Sequence, residues 1–266
     1  MSALEASQLR VAYGTSIALA DCSLALPAGQ VTALIGPNGS GKSTALKTLA
    51  RLQSPTGGAV YLNGCSIAKH STRAIACQVA ILPQSPQIPD GVTVWELIGY
   101  GRYPHRGLQP GHSRADRAAM QWALEAAGLA TLAQRSVDSL SGGERQRAWI
   151  ALALAQQTPI LLLDEPTTFL DLRHQMEVLA LVRRLNRERG LTVGWVLHDL
   201  NQAAAYSDRL IALQAGRIVT SGPPRAVMAA ATLREIFEVE VDTITHPRTG
   251  LPVCLPYPRG ASANEA

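Results

Sequence analysis

A glycine-rich stretch in the first fifth of the chain constrains this sequence more than any other feature. Residues 36–44 read GPNGSGKST and match the pattern G-x-x-x-x-G-K-[ST] at every fixed position. The apolar run VTALI precedes this stretch, as expected of a parallel strand buried on both faces, and a helical pattern, Ser43–Leu52, follows it. A strand, a glycine-rich loop and a helix in this order predict an α/β fold with phosphate groups held at the helix N-terminus.

The residue types in this loop suit phosphate chemistry. Glycines let backbone N–H groups surround phosphate oxygens without clashes from Cβ atoms. Lys42 would bring a positive charge to the β- and γ-phosphates, and Ser43 a hydroxyl ligand for Mg²⁺. We therefore expect the whole loop to bind the phosphates: Gly36, Pro37, Asn38, Gly39, Ser40, Gly41, Lys42, Ser43 and Thr44.

Two adjacent carboxylates form the second signal. Asp164 and Glu165 follow the apolar strand pattern Ile160–Leu163, and ligands collect at the carboxyl ends of strands in such sheets. Because adjacent strand residues point to opposite sides, the two acids should have different roles. We expect Asp164 to hold Mg²⁺ and Glu165 to act as the base that orients and polarises an attacking water. The alternative, a strand end with two solvated acids, loses its force beside the phosphate loop.

Two further polar residues occupy the same position at a strand end. Gln84 follows the strand pattern Gln78–Leu82, and His198 follows Thr192–Leu197. Either residue alone would suit an ordinary surface position. Four predicted parallel strands that each end in a phosphate-, metal-, water- or proton-handling group indicate a single site.

A second anion-binding turn distinguishes this chain from a simple NTPase, which needs only one. Residues 140–147 read LSGGERQR just ahead of a helical pattern, so Ser141, Gly142 and Gly143 lie at a second helix N-terminus. With the loop, the Gln, the Asp-Glu pair and the His in place, the sequence resembles the ABC ATPases throughout residues 5–222.

The resemblance implies a fold and a division of the chain. ABC ATPases are α/β proteins with a RecA-like P-loop core, an antiparallel β subdomain and an inserted helical subdomain. We expect the core and β subdomain at residues 1–84 and 141–222 and the helical subdomain at 85–140. A C-terminal extension should cover 223–258, and a fraying tail 259–266.

The resemblance also implies ATP and Mg²⁺ as cofactors and a head-to-tail pair of subunits. Ser141 and Gly143 would contact the γ-phosphate held by Lys42 of the partner subunit. Asp171, in the stretch TTFLD, would lie in the loop that crosses the dimer interface. Glu144 stands where close relatives often carry glutamine, outside the residues that contact phosphate.

Three more residues take roles from the same resemblance. His198 would contact the γ-phosphate and position the attacking water together with Glu165. Gln84 would reach Mg²⁺ or that water and couple the site to the helical subdomain. Tyr13 matches the aromatic residue that stacks on adenine, and the alternative is an aromatic side chain packed at a strand end.

Finer likeness narrows the cargo. The stretches VTVWELIGYGRYPH, DEPTTFLDLRHQ and HPRTGLPVCLP resemble the ATPases of iron-siderophore importers. This implies two integral membrane permease subunits as partners and, indirectly, an extracytoplasmic siderophore-binding protein. Residues 99–107 would meet the permease, or would be an exposed loop without a partner. An ATPase contacts only the permease, so import of haem or vitamin B12 stays an alternative.

Charge and composition weigh against nucleic-acid binding. The net charge of +4 is spread along 266 residues, and aromatic residues make up only 5%. The densest basic run, Arg183–Arg189, is typical of a solvated helix face. An ABC ATPase acting on DNA or ribosomes should carry a long coiled-coil insertion or a second cassette, which this sequence lacks. An accessory ATPase for metal-cluster assembly is a further alternative.

The resemblance implies a location at the cytoplasmic face of the inner membrane, held by the permease, and the remaining composition agrees with a cytosolic chain. The four cysteines are scattered, which predicts reduced, mostly buried thiols in the cytosol. The start MSALEASQLRVAYG does not resemble a signal peptide. The longest wholly apolar run, Ala148–Ala155, is far shorter than the roughly 20 residues needed to cross a bilayer. Any membrane-spanning part must therefore come from other chains.

Overall fold

The computed structural model describes residues 2–84, 86–87, 89–106 and 111–258. The expected tail, 259–266, lies outside the described residues. So do residue 85, with which the expected helical subdomain begins, and residue 107 of the expected permease contact.

The chain contains both strands and helices, which alternate strictly within residues 142–214. The first group is β1 (Ser2–Tyr13), β2 (Ser16–Pro27), β3 (Val31–Ile35), α1 (Lys42–Leu49), β4 (Gly57–Leu62), β5 (Cys65–Ser66), α2 (Thr72–Ala76) and β6 (Val79–Leu82). The second is α3 (Val94–Tyr100), α4 (Arg114–Ala126), α5 (Gly142–Ala155), β7 (Ile160–Asp164), α6 (Leu172–Arg189), β8 (Thr192–Val196) and α7 (Leu200–Tyr206). The third is β9 (Arg209–Gln214), β10 (Arg217–Gly222), α8 (Pro224–Val227), α9 (Ala230–Phe237), β11 (Val241–Thr245) and β12 (Pro252–Pro256).

The strands in the described part of the chain form three sheets. The first is antiparallel, in the order β2-β1-β4-β5. The second has the order β10-β9-β3-β8-β7-β6, and its neighbouring strands from β9 to β6 run parallel, while β10 is antiparallel to β9. The third is the antiparallel pair β11-β12. The four strands whose ends carry the predicted site residues are therefore neighbours, as the sequence predicted.

The parallel sheet is buried on both faces. Every residue of β3, β7 and β8 is buried, which explains their continuous apolar sequences. One face packs with α1 against the antiparallel sheet, and the other against α5, α6 and α7. Trp195 of β8 is fully buried, and its indole N–H donates to the Ser207 hydroxyl at 3.0 Å. This two-sided burial fixes the strand ends relative to one another.

The helices between β6 and α5 begin at capping boxes. At α3, the Thr93 hydroxyl accepts from the backbone N–H of Glu96, and the Glu96 carboxylate accepts from that of Thr93. Helix α4 begins in the same way at Ser113 and Asp116. Arg102 anchors this block to the core, since its Nε donates to Asp116 at 2.8 Å and its Nη1 to the carbonyl oxygen of Ala155 at 2.6 Å.

The C-terminal hairpin β11-β12 packs on α7 through one side chain. The Asn201 amide accepts from the backbone N–H of Cys254 at 2.7 Å and donates to its carbonyl oxygen at 3.2 Å. The four cysteines form no disulfide, as expected, although only Cys22 and Cys254 are buried. Burial raises the pKa of the Cys22 thiol to about 11.

The basic run at the end of α6 differs in part from the solvated face that the sequence predicted. Arg184, Arg187 and Arg189 are exposed, but Arg183 pairs with Asp208 at 2.6 Å. The Arg189 guanidinium also lies 4.1 Å from the centre of the Trp122 ring. Among the described residues, we find no helix that combines the length and the apolar character needed to cross a bilayer.

Candidate functional site

The glycine-rich loop lies between the carboxyl end of β3 and the start of α1, as the sequence predicted. Gly36 has a φ of +144°, and a Cβ there would lie 2.0 Å from the carbonyl oxygen of Leu213. Gly41 has a φ of +100°, and its Cβ would lie 2.6 Å from the carbonyl oxygen of Ala18. Both positions therefore require glycine, because the loop backbone packs directly against neighbouring chain segments.

Lys42 is the first residue of α1 and is only 5% exposed. Its ammonium group donates to the carbonyl oxygens of Gly36 at 2.9 Å and Pro37 at 2.8 Å. Burial lowers the pKa of Lys42, while the nearby carboxylates of Glu165 and Asp164 act in the opposite direction. The loop thus encloses a fixed positive charge at a helix N-terminus, where anions are favoured.

Ser43 and Asp164 meet beside this charge. The Ser43 hydroxyl donates to Asp164 Oδ1 at 2.8 Å, and Asp164 is 1% exposed. Burial raises the pKa of Asp164. The second carboxylate oxygen, Oδ2, is buried and has no hydrogen-bond partner within the described residues. A hydroxyl beside an unpaired buried carboxylate oxygen fits a hard cation such as Mg²⁺, which prefers oxygen ligands.

Glu165 brings together the other predicted strand-end residues. Its Oε1 lies 2.7 Å from His198 Nε2. Its Oε2 accepts from Gln84 Nε2 at 2.5 Å and from the Thr168 hydroxyl at 3.2 Å. The side chain of Glu165 is 9% exposed, so these contacts act on a largely desolvated carboxylate.

The sequence analysis gave Asp164 and Glu165 different roles because adjacent strand residues point to opposite sides. The structure shows that this reason was wrong. Asp164 ends β7, whereas Glu165 lies beyond the strand with a φ of +54°, in the left-handed region. The alternation of side chains along a strand therefore does not set its direction. A left-handed backbone at a non-glycine residue is costly, and such residues concentrate at functional sites. This turn directs Glu165 towards Gln84 and His198.

A cavity of about 300 Å³ lies over the loop. Its walls include Lys42, Ser43 and Glu165 together with residues 16–18 at the start of β2. Ile17 is 60% exposed and forms part of this wall, which the sequence analysis missed. Tyr13 does not line the cavity; it is half exposed and pairs across the hairpin with Ser16, which does. The strand pattern alone could not indicate which side of the hairpin faces the loop.

The second turn is built as a helix N-terminus. Ser141 caps α5, since its hydroxyl accepts from the backbone N–H of Glu144 and the Glu144 carboxylate accepts from that of Ser141. The position of Gly143 allows no Cβ, which would lie 2.2 Å from His174 Cδ2. None of the residues 141–143 lines the cavity over the glycine-rich loop. Within one subunit, the two anion-binding turns are therefore separate.

Asp171 caps α6 and lies beside the second turn. Its Oδ1 accepts from the backbone N–H of His174 at 2.9 Å and lies 2.7 Å from His174 Nδ1. The hydrogen bond from the His174 backbone holds the pKa of Asp171 below its usual value. Phe169, two residues earlier, is 97% exposed and has a φ of +63°. The loop 167–171 thus presents an apolar side chain outward.

Sequence reasoning missed the polar contacts that hold this loop. Gln175 donates to the carbonyl oxygen of Leu170 at 2.9 Å and accepts from Gln202 at 2.6 Å. The cap at Asp171 can be recognised in the sequence, because the backbone N–H that donates to it belongs to His174, only three residues later. The contact between Gln175 and Gln202 spans 27 residues and has no local pattern.

Comparison with known proteins places this site in a family. Residues 19–168 match the model of a family described as ABC transporter. The chain is 50% identical over 257 residues to the iron(3+)-hydroxamate import ATP-binding protein FhuC of Bacillus subtilis, covering 97% of this chain and 96% of the relative. It is 42% identical over 252 residues to the hemin import ATP-binding protein HmuV of Bordetella pertussis, covering 92% and 95%.

The fold agrees with solved structures. The dimeric structure of MJ0796, a bacterial ABC transporter cassette, has a TM-score of 0.74 and 29% identity, covering 83% of this chain and 98% of the cassette. The combination of sheets and inserted helices is that of the ABC ATPase fold. The match of a relative over almost the whole chain extends to the nucleotide-binding loop and to the convergent strand ends. The chain therefore belongs to the ABC transporter family, as one of its ATP-hydrolysing subunits.

Proposed function

We propose that this chain powers the uptake of iron-siderophore complexes by hydrolysing ATP beneath a separate membrane permease. The observation that carries the chemistry is the convergence of Gln84 and His198 on the buried carboxylate of Glu165, beside the phosphate loop. The 50% identity with an iron(3+)-hydroxamate import ATP-binding protein supports the cargo.

The triphosphate would lie along residues 36–44. Their backbone N–H groups and the Lys42 ammonium would neutralise the charge of the β- and γ-phosphates. Ser43, Asp164 and Gln84 would hold Mg²⁺, which supplies charge stabilisation to the phosphoryl oxygens when bound. The unpaired Oδ2 of Asp164 supports this assignment. The raised pKa of Asp164 reflects burial without a full set of partners, so a cation there would relieve an existing electrostatic cost.

Glu165 would accept a proton from the attacking water or orient it for attack. His198 and Gln84 would fix the carboxylate from two sides, and His198 would also contact the γ-phosphate. This arrangement limits the reorganisation needed at the moment of reaction, which is how positioned polar groups accelerate phosphoryl transfer. The left-handed backbone of Glu165 supports a functional reason for its position.

The second anion-binding turn would act on the nucleotide of a second copy of this chain. Ser141, Gly142 and Gly143 lie apart from the phosphate loop of their own subunit, so a head-to-tail pair gives each turn a γ-phosphate to contact. Asp171 would lie at the subunit boundary. The dimeric cassette to which the chain is similar supports this pairing.

Tyr13 would stack on adenine. It lies across the β1–β2 hairpin from Ser16, at the edge of the cavity. Ile17, which lines the cavity, would add an apolar contact to the same base. Two side chains from one hairpin would thus hold the base, while the loop holds the phosphates.

The permease pair would hold the ATPases at the cytoplasmic face of the inner membrane, with an extracytoplasmic siderophore-binding protein delivering the cargo. Residues 99–107 would form part of the permease contact, and Tyr100 and Tyr103 in this segment are exposed and stacked 6.0 Å apart. The core and β subdomain would comprise residues 1–84 and 141–222, the helical subdomain 85–140 and the C-terminal extension 223–258. The proposed function does not involve nucleic-acid binding.

Haem import is the second candidate, and vitamin B12 import would use the same machinery. A hemin import ATP-binding protein is 42% identical over 252 residues, so the ATPase features are common to both kinds of importer. The higher identity to the hydroxamate importer subunit favours siderophore cargo.

The test is uptake of ferric hydroxamate and of haem by cells that carry the wild-type chain, Glu165→Gln or Glu188→Gln. The last variant makes the same chemical change at an exposed glutamate on α6 and serves as the matched control. We expect Glu165→Gln to bind ATP but to lose hydrolysis and siderophore uptake, with Glu188→Gln unchanged. Loss of haem uptake alone would favour the second candidate, and wild-type hydrolysis by Glu165→Gln would refute the role of Glu165.

A further inference from the structure

Two glutamine side chains, the half-buried Gln175 and the buried Gln202, connect the loop 167–171 to the helix that follows His198. Gln175, in the first turn of α6, donates its amide to the carbonyl oxygen of Leu170 at 2.9 Å. Its amide oxygen accepts from Gln202 Nε2 at 2.6 Å. Gln175 thus uses both ends of one amide group, holding the loop with one and α7 with the other.

Gln202 is itself firmly placed. It is 7% exposed, and its backbone N–H donates to the Asp199 carboxylate that caps α7. His198 immediately precedes this cap and lies 2.7 Å from Glu165. A short chain of contacts therefore runs from the loop through Gln175 and Gln202 to the base of His198, without touching the phosphate loop.

The neighbouring residue holds the same loop from its other side. His174 Nδ1 lies 2.7 Å from the Asp171 carboxylate, and the His174 ring occupies the space that a Cβ on Gly143 would need. The first turn of α6 thus contacts the anion-binding turn at residues 141–143 and, through Gln175, also contacts α7, the helix that follows His198. The loop cannot shift without disturbing contacts on both sides.

We propose that Gln175 and Gln202 are a positioning pair that fixes His198 against Glu165 according to the position of the loop 167–171. This rests on the proposed function, in which the loop lies at the boundary with a second copy of the chain. When contact with the second copy fixes the position of the loop, the hydrogen bonds of Gln175 and Gln202 fix the position of α7 and of the preceding His198. Hydrolysis would then require a correctly seated second subunit, which prevents ATP consumption by an unpaired chain.

The pair is suited to this because a buried amide tolerates few arrangements. Shifting the loop away from Gln175 would leave the half-buried Gln175 amide without its Leu170 partner, or pull it from the buried Gln202 amide, and an unpaired polar group shielded from water is costly. Gln202 has little access to water that could replace its partner. The two side chains therefore favour one arrangement of the loop relative to α7.

The test measures steady-state ATP hydrolysis of the purified full-length chain, wild type against Gln175→Leu, Gln202→Leu and the double variant. We expect each single variant to lower kcat by about five- to tenfold, as for the loss of one buried hydrogen bond, with KM for ATP within about twofold of wild type. The double variant should be no slower than the slower single variant, because both changes break one connection. Each single variant leaves one polar partner unpaired and should lower the melting temperature by a few degrees. ATP-driven pairing of the same variants in a Glu165→Gln background should stay close to its reference value.

Asn201→Leu is the matched control, since Asn201 neighbours Gln202 on α7 but bonds Cys254 of the C-terminal hairpin. It should leave kcat within about twofold of wild type, because its contact does not lead to the loop. If Gln202→Leu does not fold, Gln175→Glu replaces it. That change keeps the acceptor for Gln202 but removes the donor to Leu170, and it should lower kcat like Gln175→Leu.

Three results would overturn the inference: unchanged kcat in both single variants, single losses that multiply in the double variant, or an equal loss in Asn201→Leu. A loss of ATP-driven pairing that matches the fall in kcat would likewise assign the pair a structural role. Failure of the pairing that the proposed function assumes looks different, since the Glu165→Gln chain would then not pair in the presence of ATP.

Discussion

The buried ion pair between Arg102 and Asp116 should give this protein a measurable loss of stability in acid. Asp116 is 5% exposed, and its carboxylate accepts from Arg102 Nε at 2.8 Å and from the backbone N–H and hydroxyl of Ser113 at 3.0 and 2.7 Å. Burial alone would raise the pKa of Asp116, but these hydrogen bonds and the Arg102 charge outweigh it. The pKa therefore falls from its ordinary value of 3.8 to about 2.

The size and the sign of the effect follow from this pKa difference. A carboxyl whose pKa is lower in the folded chain contributes stability that is fully present above its unfolded pKa, near 4. That contribution is lost as the pH falls towards 2. The difference corresponds to roughly 2.5 kcal/mol of folding free energy, of which about 1 kcal/mol is already lost at pH 3.

The assay is urea unfolding of the full-length chain at pH 6, 5, 4 and 3. Asp116→Asn should be less stable than wild type by about 3 kcal/mol at pH 6, because Arg102 is left buried without its partner. The difference between the two proteins should shrink by about 1 kcal/mol by pH 3. Glu96→Gln is the control, since Glu96 occupies in the capping box of α3 the position that Asp116 occupies in that of α4, but is exposed. A wild-type to Asp116→Asn difference that stays constant from pH 6 to pH 3 would refute the reasoning.

Three further predictions concern pairing of two chains, each measured by ATP-dependent gel filtration in a Glu165→Gln background. Gly143→Ala should weaken pairing by about tenfold, because its Cβ would lie 2.2 Å from a His174 ring that Asp171 holds in place. Unchanged pairing in Gly143→Ala would argue against this. Phe169→Ala should leave the melting temperature unchanged, since the side chain is 97% exposed, and should weaken pairing by about tenfold if the second copy covers it; unaltered pairing would place Phe169 outside the interface. Glu144→Gln should tighten pairing by about two- to fivefold at low salt, because it keeps the cap of α5 but removes a negative charge beside an anion-binding turn. Weaker pairing in that variant would contradict the electrostatic argument.

The sequence alone determined the features that depend on neighbouring residues. The glycine-rich loop is a local motif, and the backbone φ of +144° at position 36 and +100° at position 41 is a conformation that favours glycine. Capping boxes such as that at Thr93 involve residues three apart, so their spacing is visible in the sequence. Continuous apolar runs identified the buried parallel strands. Because such strands end at one edge of a sheet, the convergence of their terminal residues could also be predicted.

Only the tertiary structure decided how those residues meet. The left-handed turn at Glu165, rather than strand alternation, directs it to Gln84 and His198. The order of the strands and the packing of the helices bring Gln175 to Gln202 across 27 residues, and no periodicity records such a contact. The hairpin turns Ile17 rather than Tyr13 into the cavity wall. Local spacing encodes contacts within one turn or one strand, whereas contacts between elements depend on how the whole sheet and its helices pack.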